Sequence, residues 1–308
     1  LGDVYKRQVV KSEDLSAQKE SFVKSLQGKV AGIRVGGSTG DPGADQRIQI
    51  RGISSISASS QPLYVIDGVA IVNNDVTSGL KSQSVLSSIN PDDIESMSVL
   101  TGAAAAALYG SEAANGAIII TTKKGKVGKV SISVNSSMEF NQPFVMPRFQ
   151  TRYGTGVGGS FLDGSDRSWG EKLTVANYHG YDPKDDYFQT GIINTESVSF
   201  STGTEKNQTY ASAAAINSKG ITPNNKYSRY NFSVRNTTSF LNDKMTLDIA
   251  ASYILQNDRN MVNQGEYNNP LVGAYLYPRG NDWEDAKLYE LYDPCLLYTS
   301  DAADEEDS

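Results

Sequence analysis

From Lys129 to Phe140 the chain alternates strictly enough to read by eye. Val130, Ile132, Val134, Met138 and Phe140 are apolar, while Ser131, Ser133, Asn135, Ser137 and Glu139 between them are polar. Side chains of a strand point to opposite faces in turn, so this pattern predicts a strand with one greasy and one wet face. The dyad returns at Val198 and Phe200, at Tyr230, Phe232 and Val234, and at Met245, Leu247, Ile249, Ala251, Tyr253 and Leu255. Ala211 to Ala215 is a weaker strand, placed by position. Five amphipathic strands are therefore expected between residues 127 and 258.

Upstream of Lys126 the pattern is different. Phe22, Leu26 and Val30 recur at i, i+4 and i+8, which predicts a helix through Gln18 to Gln27 that loses order near Gly28. Short runs rich in β-branched residues, bounded by Gly, Pro or Asp, predict strands at Gly32–Val35, Ile48–Arg51, Leu63–Ile66, Ser96–Leu100 and Ala117–Thr122. Asp67-Gly68 is a hairpin signal. Asn90-Pro91-Asp92-Asp93 reads as a helix start, with Asn at the cap, Pro in the first turn and carboxylates at the positive end of the helix dipole. Ala103 to Tyr109 predicts a second helix, ended by Gly110. Interleaved helices and strands make residues 9–126 an α+β domain.

The alternation alone fits a soluble sheet with one buried face as well as a membrane wall. Loop lengths favour the wall. Short turns stand at Gly203–Asn207 and Leu241–Lys244, and a long segment, Asn141 to Ile192, joins the first strand to the second. An intermediate segment, Asn217 to Lys226, joins the third strand to the fourth. Short turns on one side and long loops on the other is the arrangement of outer-membrane barrels. No stretch approaches the roughly 20 apolar residues a membrane helix needs, which leaves β-strands free to cross. Five strands would leave two open edges that hydrocarbon does not tolerate, so the expectation is an incomplete barrel, with the rest of about 22 strands lying downstream.

The remaining composition narrows the chemistry. The chain has 308 residues with a net charge of −7, which argues against a nucleic-acid partner. One Cys and one His, Cys295 and His179, leave neither an internal disulfide nor a histidine-rich metal site, and no cofactor is expected. Gly36-Gly37 with Gly40 and Gly43 lacks the GK[ST] and GxGxxG frames of phosphate loops. Asp67, Asp92 and Asp93 could form a carboxylate site, but turn and cap roles account for all three. No constellation calls for an enzyme.

Arg47 and Arg51 share one strand face with Gln49, while Ile48 and Ile50 share the other. They need carboxylate partners, and pairing with an acidic wall residue such as Glu139 would hold the first domain in place. The alternative is a solvated strand face. The long loop carries many rings; Tyr153, Trp169, Tyr178 and Tyr181 are the candidates for stacking on sugar faces or peptide side chains, against a role in loop packing.

LQGKVAGIRV, IQIRG, PLYVIDG, INPDDIESMSVL, AAAALYG and AANGAIIITTKKG occur in this order between Leu26 and Lys124. In wording and spacing they resemble the SusC/RagA family of TonB-dependent outer-membrane transporters, over roughly Val9 to Asn257. The resemblance implies a TonB-dependent receptor plug domain followed by barrel strands in the cell outer membrane of a Bacteroidetes-type bacterium. It implies import of oligosaccharides or peptides by plug rearrangement, a SusD-like lipoprotein lid, and energy from TonB through a TonB box upstream. A signal peptide and a carboxypeptidase-like domain would also precede Val9. The expected organisation is residues 1–8 outside the fold, 9–126 the plug, 127–258 the first strands, 259–294 part of an external loop, and 295–308 outside the fold. Both ends resemble translated sequencing-adapter sequence. The alternatives are a glycan-binding β-sandwich, soluble or surface-attached, and a hydrolase whose site lies elsewhere.

Overall fold

The computed structural model describes residues 7–11, 26, 28–37, 46–50, 52, 61–71, 89–162, 165, 167–176, 178, 180–260, 269–278 and 280–286. The chain divides into two compact units, Leu1–Gln142 with Thr190–Met261, and Pro143–Gln189 with Val262–Ser308.

The first unit holds a small mixed sheet and a long-stranded one. The small sheet is built from β1 (Arg7–Lys11), then, after the β2–β3 pair (Ile33–Gly37 and Gln46–Ile50), β4 (Leu63–Ile66), β5 (Val69–Ile71), β6 (Ile94–Leu100) and β7 (Ala117–Thr122). Its strand order is β1-β6-β7-β4-β5, with only β4 and β7 parallel, and β2 and β3 form a separate antiparallel pair. LYVI and AIII are unbroken apolar runs because both faces of the sheet are covered. Tyr64, Ile118 and Ile120 point to one side, where they pack with Leu26, Val35, Ile48 and Met97. Leu63, Val65 and Ala117 point to the other, against Ala105 of helix α1 (Gly102–Tyr109).

Local signals explain the joints. Asp67 and Gly68 both take positive φ, 48° and 88°, the left-handed pair that a two-residue hairpin turn requires. Gly110, at φ 76°, ends α1 and donates its N–H to Ala106 O. Asn90 caps as expected, its side chain accepting from Asp92 N, but only one 3-10 turn, Pro91–Asp93, follows before β6 begins. A run with Ile94, Met97, Val99 and Leu100, between β1 and β7, gains more by pairing on both edges than by continuing a helix. The predicted helix at Gln18–Gln27 lies outside the described residues except for Leu26, which is fully buried. Arg7 and Gln8, which the sequence reading sets outside the fold, open β1, opposite Leu100 and Val99. Strand pairing is made by backbone groups, so β6 accepts these residues whatever their side chains. Residues 295–308 lie outside the described residues.

The second sheet is an antiparallel meander of β8 (Gly128–Asn141), β9 (Gly191–Gly203), β10 (Asn207–Lys219), β11 (Lys226–Phe240) and β12 (Met245–Arg259), in the order β12-β11-β10-β9-β8. The weak alanine stretch is part of a full 13-residue strand, β10, because β9 and β11 supply a ladder on both sides. At about 3.3 Å per residue and a barrel tilt of about 40°, strands of 13 to 15 residues reach roughly 35 Å, more than the apolar band of an outer membrane. One face carries Ile132, Val134, Val198, Phe232, Val234, Leu247, Ile249, Tyr253 and Leu255, all exposed. The other carries Ser197, Tyr210, Asn231, Ser233 and Arg235, all shielded by the small domain.

The second unit, within the long segment after β8 and the residues beyond β12, is packed by rings. Tyr181 stacks on Trp283 at 4.8 Å and meets Tyr277 edge-on at 5.1 Å, while its hydroxyl donates to Ala274 O at 2.6 Å. Ala274 belongs to α2 (Pro270–Leu276) and Trp283 opens α3 (Trp283–Ala286). Thr155 and Asn281 are bonded at 2.7 Å, tying the two halves of this unit together.

Candidate functional site: the seam between domain and wall

The two sheets of the first unit meet along a line of polar bonds rather than an apolar core. At its centre is Arg235, on the inward face of β11 and 9% exposed. Its Nε and Nη2 bond to both oxygens of Asp248 on the adjacent strand β12, at 2.9 and 2.7 Å. The remaining Nη1 reaches the small domain, giving 2.9 Å to Asp67 Oδ2 and 2.7 Å to Thr122 Oγ1. A guanidinium presents its donors in a fixed planar fork, so one edge stays with the wall while the other is aimed at the domain.

Asp67 is placed for this by its turn. Left-handed backbone swings its carboxylate back over the end of β7, where Oδ1 accepts from Thr122 N at 2.9 Å and Oδ2 from Thr122 Oγ1 at 2.6 Å. Lys124, just beyond β7, adds a salt bridge of 3.1 Å to Asp248. Asp248 thus ties a wall cation and a linker cation together. Gly125 follows, and a Cβ there would stand 2.4 Å from Thr209 N of β10, so only glycine lets the linker pass this close to the wall.

The 3-10 turn supplies the other anchors. Asp92 Oδ2 accepts from Ser197 Oγ of β9 and, at 3.4 Å, from Asn135 Nδ2 of β8. Asp93 accepts from the buried Tyr210 hydroxyl at 2.9 Å and from Ser233 Oγ at 3.3 Å. A cavity of about 390 Å³ opens beside these bonds, lined by Asp67, Asn90, Asp93, Tyr210 and Arg235 together with apolar groups, among them Ile66, Val69, Ile71, Ile89 and Ile254.

The described bonds of this seam have one polarity. Carboxylates sit on the domain and the cation sits on the wall. Arg51 and the side chain of Arg47 lie outside the described residues, so their proposed pairing stays a proposal. Glu139 is exposed at the far end of β8, opposite Ile193, away from the rows that bond to the domain. Among the ring candidates, Tyr153 and Trp169 come together at 6.1 Å and are both exposed, and Tyr178 is exposed elsewhere in the same unit. Tyr181 is 3% exposed and packs the unit from inside. Its ring faces Tyr277 and Trp283 rather than solvent. The signal that would have found the seam was available: turn and cap roles use only part of each carboxylate's capacity, and the inward face of β11 carries a cation within a net acidic chain.

Among the described residues no group of His, Cys, Asp and Glu is placed to hold a metal ion. Turn, cap and seam partners account for the carboxylates, and the arrangement as a whole fastens one domain to a wall.

Known proteins place this architecture. Residues 4–117 match the family described as TonB-dependent Receptor Plug Domain. The TonB-dependent receptor SusC of Bacteroides thetaiotaomicron is 38% identical over 232 residues, covering 74% of this chain and 22% of SusC. The TonB-dependent receptor P39 of Formosa agariphila is 38% identical over 226 residues, covering 71% of this chain and 20% of P39. The structure of the RagAB peptide importer in its closed-closed state superposes with a TM-score of 0.66 at 28% identity, over 86% of this chain and 32% of that one. The fold is therefore that of a TonB-dependent receptor, a plug domain followed by strands of an outer-membrane β-barrel. Within that class the chain belongs with the SusC/RagA-like TonB-dependent transporters, and it spans about a fifth of the length of the curated relatives it matches.

Proposed function

We propose that this chain is the plug and first wall strands of an outer-membrane importer that admits oligosaccharides or peptides when TonB pulls on the plug. The observation that carries the reading is the seam. The plug has its own apolar core, yet it meets the wall through Asp67, Asp92 and Asp93 and their polar partners. Polar bonds can be exchanged for bonds to water, so the plug can be drawn aside without pulling apart a close-packed apolar core. Relatives named as TonB-dependent receptors and a structure titled as a peptide importer support the same reading. A SusD-like lipoprotein lid and a TonB box are the partners it calls for. The exposed pair Tyr153 and Trp169, with Tyr178, is proposed to meet the cargo, and Arg47 and Arg51 with Glu139 are proposed as further plug–wall contacts.

The test is uptake by the full-length transporter in cells lacking their own copy, using labelled oligosaccharides and labelled peptides. One class should accumulate only when TonB is present and its box intact. Uptake that is equal without TonB, or absent for both classes, would contradict the reading.

A further inference from the structure

The outward face of the wall carries a second arrangement, at the end of the strands farthest from the short turns. Lys219, Lys226 and Arg259 stand directly opposite one another, Lys219 paired with Lys226 and Lys226 with Arg259. All three are exposed, and by alternation they share the face that bears Phe232, Tyr253 and Leu255. Like charges opposite one another on neighbouring strands repel. No acidic residue among the described ones is paired with any of them. The carboxylate of Asp258 belongs by alternation to the inward face. Glu196, the one outward carboxylate of the described strands, lies two rows closer to the plug opposite Ala215 and is approached by Asn194 Nδ2 at 3.4 Å.

The residues below the cations are graded. The next outward row is Asn194, Asn217, Ser228 and Asn257, all hydrogen-bonding side chains without charge. Below it come Tyr230, whose hydroxyl donates to Asn217 Oδ1 at 3.2 Å, and Leu255, then Phe232 and Tyr253. An open groove of about 500 Å³ is lined by these cations and uncharged polar groups, by Ile192, and at the strand ends by Ser218, Tyr227 and Asp258, which alternation assigns to the inward face. Four residues of tilted strand separate the charged row from the row of Tyr230 and Leu255, about 10 Å of depth. Charge, amide, aromatic and aliphatic groups thus follow each other as phosphate, sugar or ester, and acyl chain do in a membrane lipid.

We propose that this groove binds the headgroup of a phosphate-bearing lipid of the outer leaflet. The phosphate lies among Lys219, Lys226 and Arg259, polar headgroup atoms meet Asn194, Asn217, Ser228 and Asn257, and acyl chains run down over Phe232, Tyr253 and Leu255. The bound anion removes the repulsion that the row otherwise carries, and the strand ends gain a fixed position at the membrane surface. The proposal needs the outward face to meet lipid and is independent of what the transporter imports.

The test uses the full-length transporter purified in detergent and native mass spectrometry with monophosphoryl lipid A, its dephosphorylated form, and inorganic phosphate. Monophosphoryl lipid A should be retained at least tenfold better than the dephosphorylated form. That difference should vanish in the triple variant Lys219→Gln, Lys226→Gln, Arg259→Gln and persist in Lys244→Gln, at the opposite rim. Heat-modifiable migration on gels checks that each barrel is folded, and single substitutions serve if the triple variant does not assemble. Equal retention of both lipids, or retention unchanged in the charge variants, would overturn the proposal. Inorganic phosphate that displaces the lipid at equal concentration would also overturn it, by assigning the groove to a free ion.

Discussion

The interior of the plug and the seam around it are built on opposite principles. Inside, Leu26, Ile48, Met97, Ile118 and Ile120 are fully buried in one close-packed cluster, and such packing tolerates little loss of volume. At the seam, three carboxylates meet hydroxyls, an amide and one guanidinium beside a cavity. The first arrangement holds a domain together. The second holds it in place for as long as nothing pulls. A domain that is cohesive within and bonded by exchangeable groups without is one that can move as a body, and this contrast is what the SusC/RagA-like assignment requires of a plug.

The contrast breaks most clearly through the core. Ile118→Ala in the full-length transporter should cost about 2–5 kcal/mol of plug stability, through lost burial and the cavity left behind. Proteolysis of the plug in urea reads this directly, and a change within error would mean that the interior is looser than its packing indicates. At the seam, Arg235→Ala leaves Asp67 and Asp248 without their shared cation. With part of each carboxylate still reached by water, the expected cost is about 1–3 kcal/mol. The plug core should stay intact while the barrel admits antibiotics normally too large to pass, seen as increased killing. Arg235→Lys should leak as well, because a point charge cannot keep the bidentate bond to Asp248 and still reach the plug.

A smaller effect is expected from Arg47→Ala with Arg51→Ala, which leaves the Asp67, Asp92 and Asp93 bonds in place. Assembly should be normal with a lesser leak, and unchanged permeability would remove these arginines from the seam. The smallest effect belongs to the second unit. Burial, with Tyr275 nearby, pushes the Tyr187 phenol up to about 12. An unfolded tyrosine loses its proton near pH 10, so the folded unit holds the proton more tightly. Its stability is full below about pH 10 and declines as pH rises toward 12. Trp283, 5.8 Å from the Tyr187 ring, reports the change by fluorescence. In Tyr187→Phe this part of the alkaline loss should disappear.

Much of this fold is legible in the residues. The dyads from Val130 to Leu255 mark the wall strands, and β4 and β7 fall on their predicted limits, Leu63–Ile66 and Ala117–Thr122. These segments are legible because a residue's own pattern decides its face. The cap at Asn90 and the strand from Ser96 are both legible, but β6 begins two residues earlier, at Ile94, and leaves room for a single 3-10 turn at Pro91–Asp93. The seam is less legible than these elements. Asp67, Asp92 and Asp93 each have a sufficient local role, while their wall partners lie 43 to 168 residues downstream. Local patterns carry local geometry; the spare capacity of these carboxylates and the cation on β11 signal that a bond is available, and only the wall placed beside the domain shows which groups meet.

The central claim is that the seam must open for import while the plug core stays whole. It is tested most directly by joining Asp92→Cys on the plug to Ser197→Cys on β9 as a disulfide in the full-length transporter, and measuring uptake before and after reduction. Import should stop while the cross-link is closed and return when a reductant opens it. Import that continues at the same rate through the closed cross-link would contradict the account.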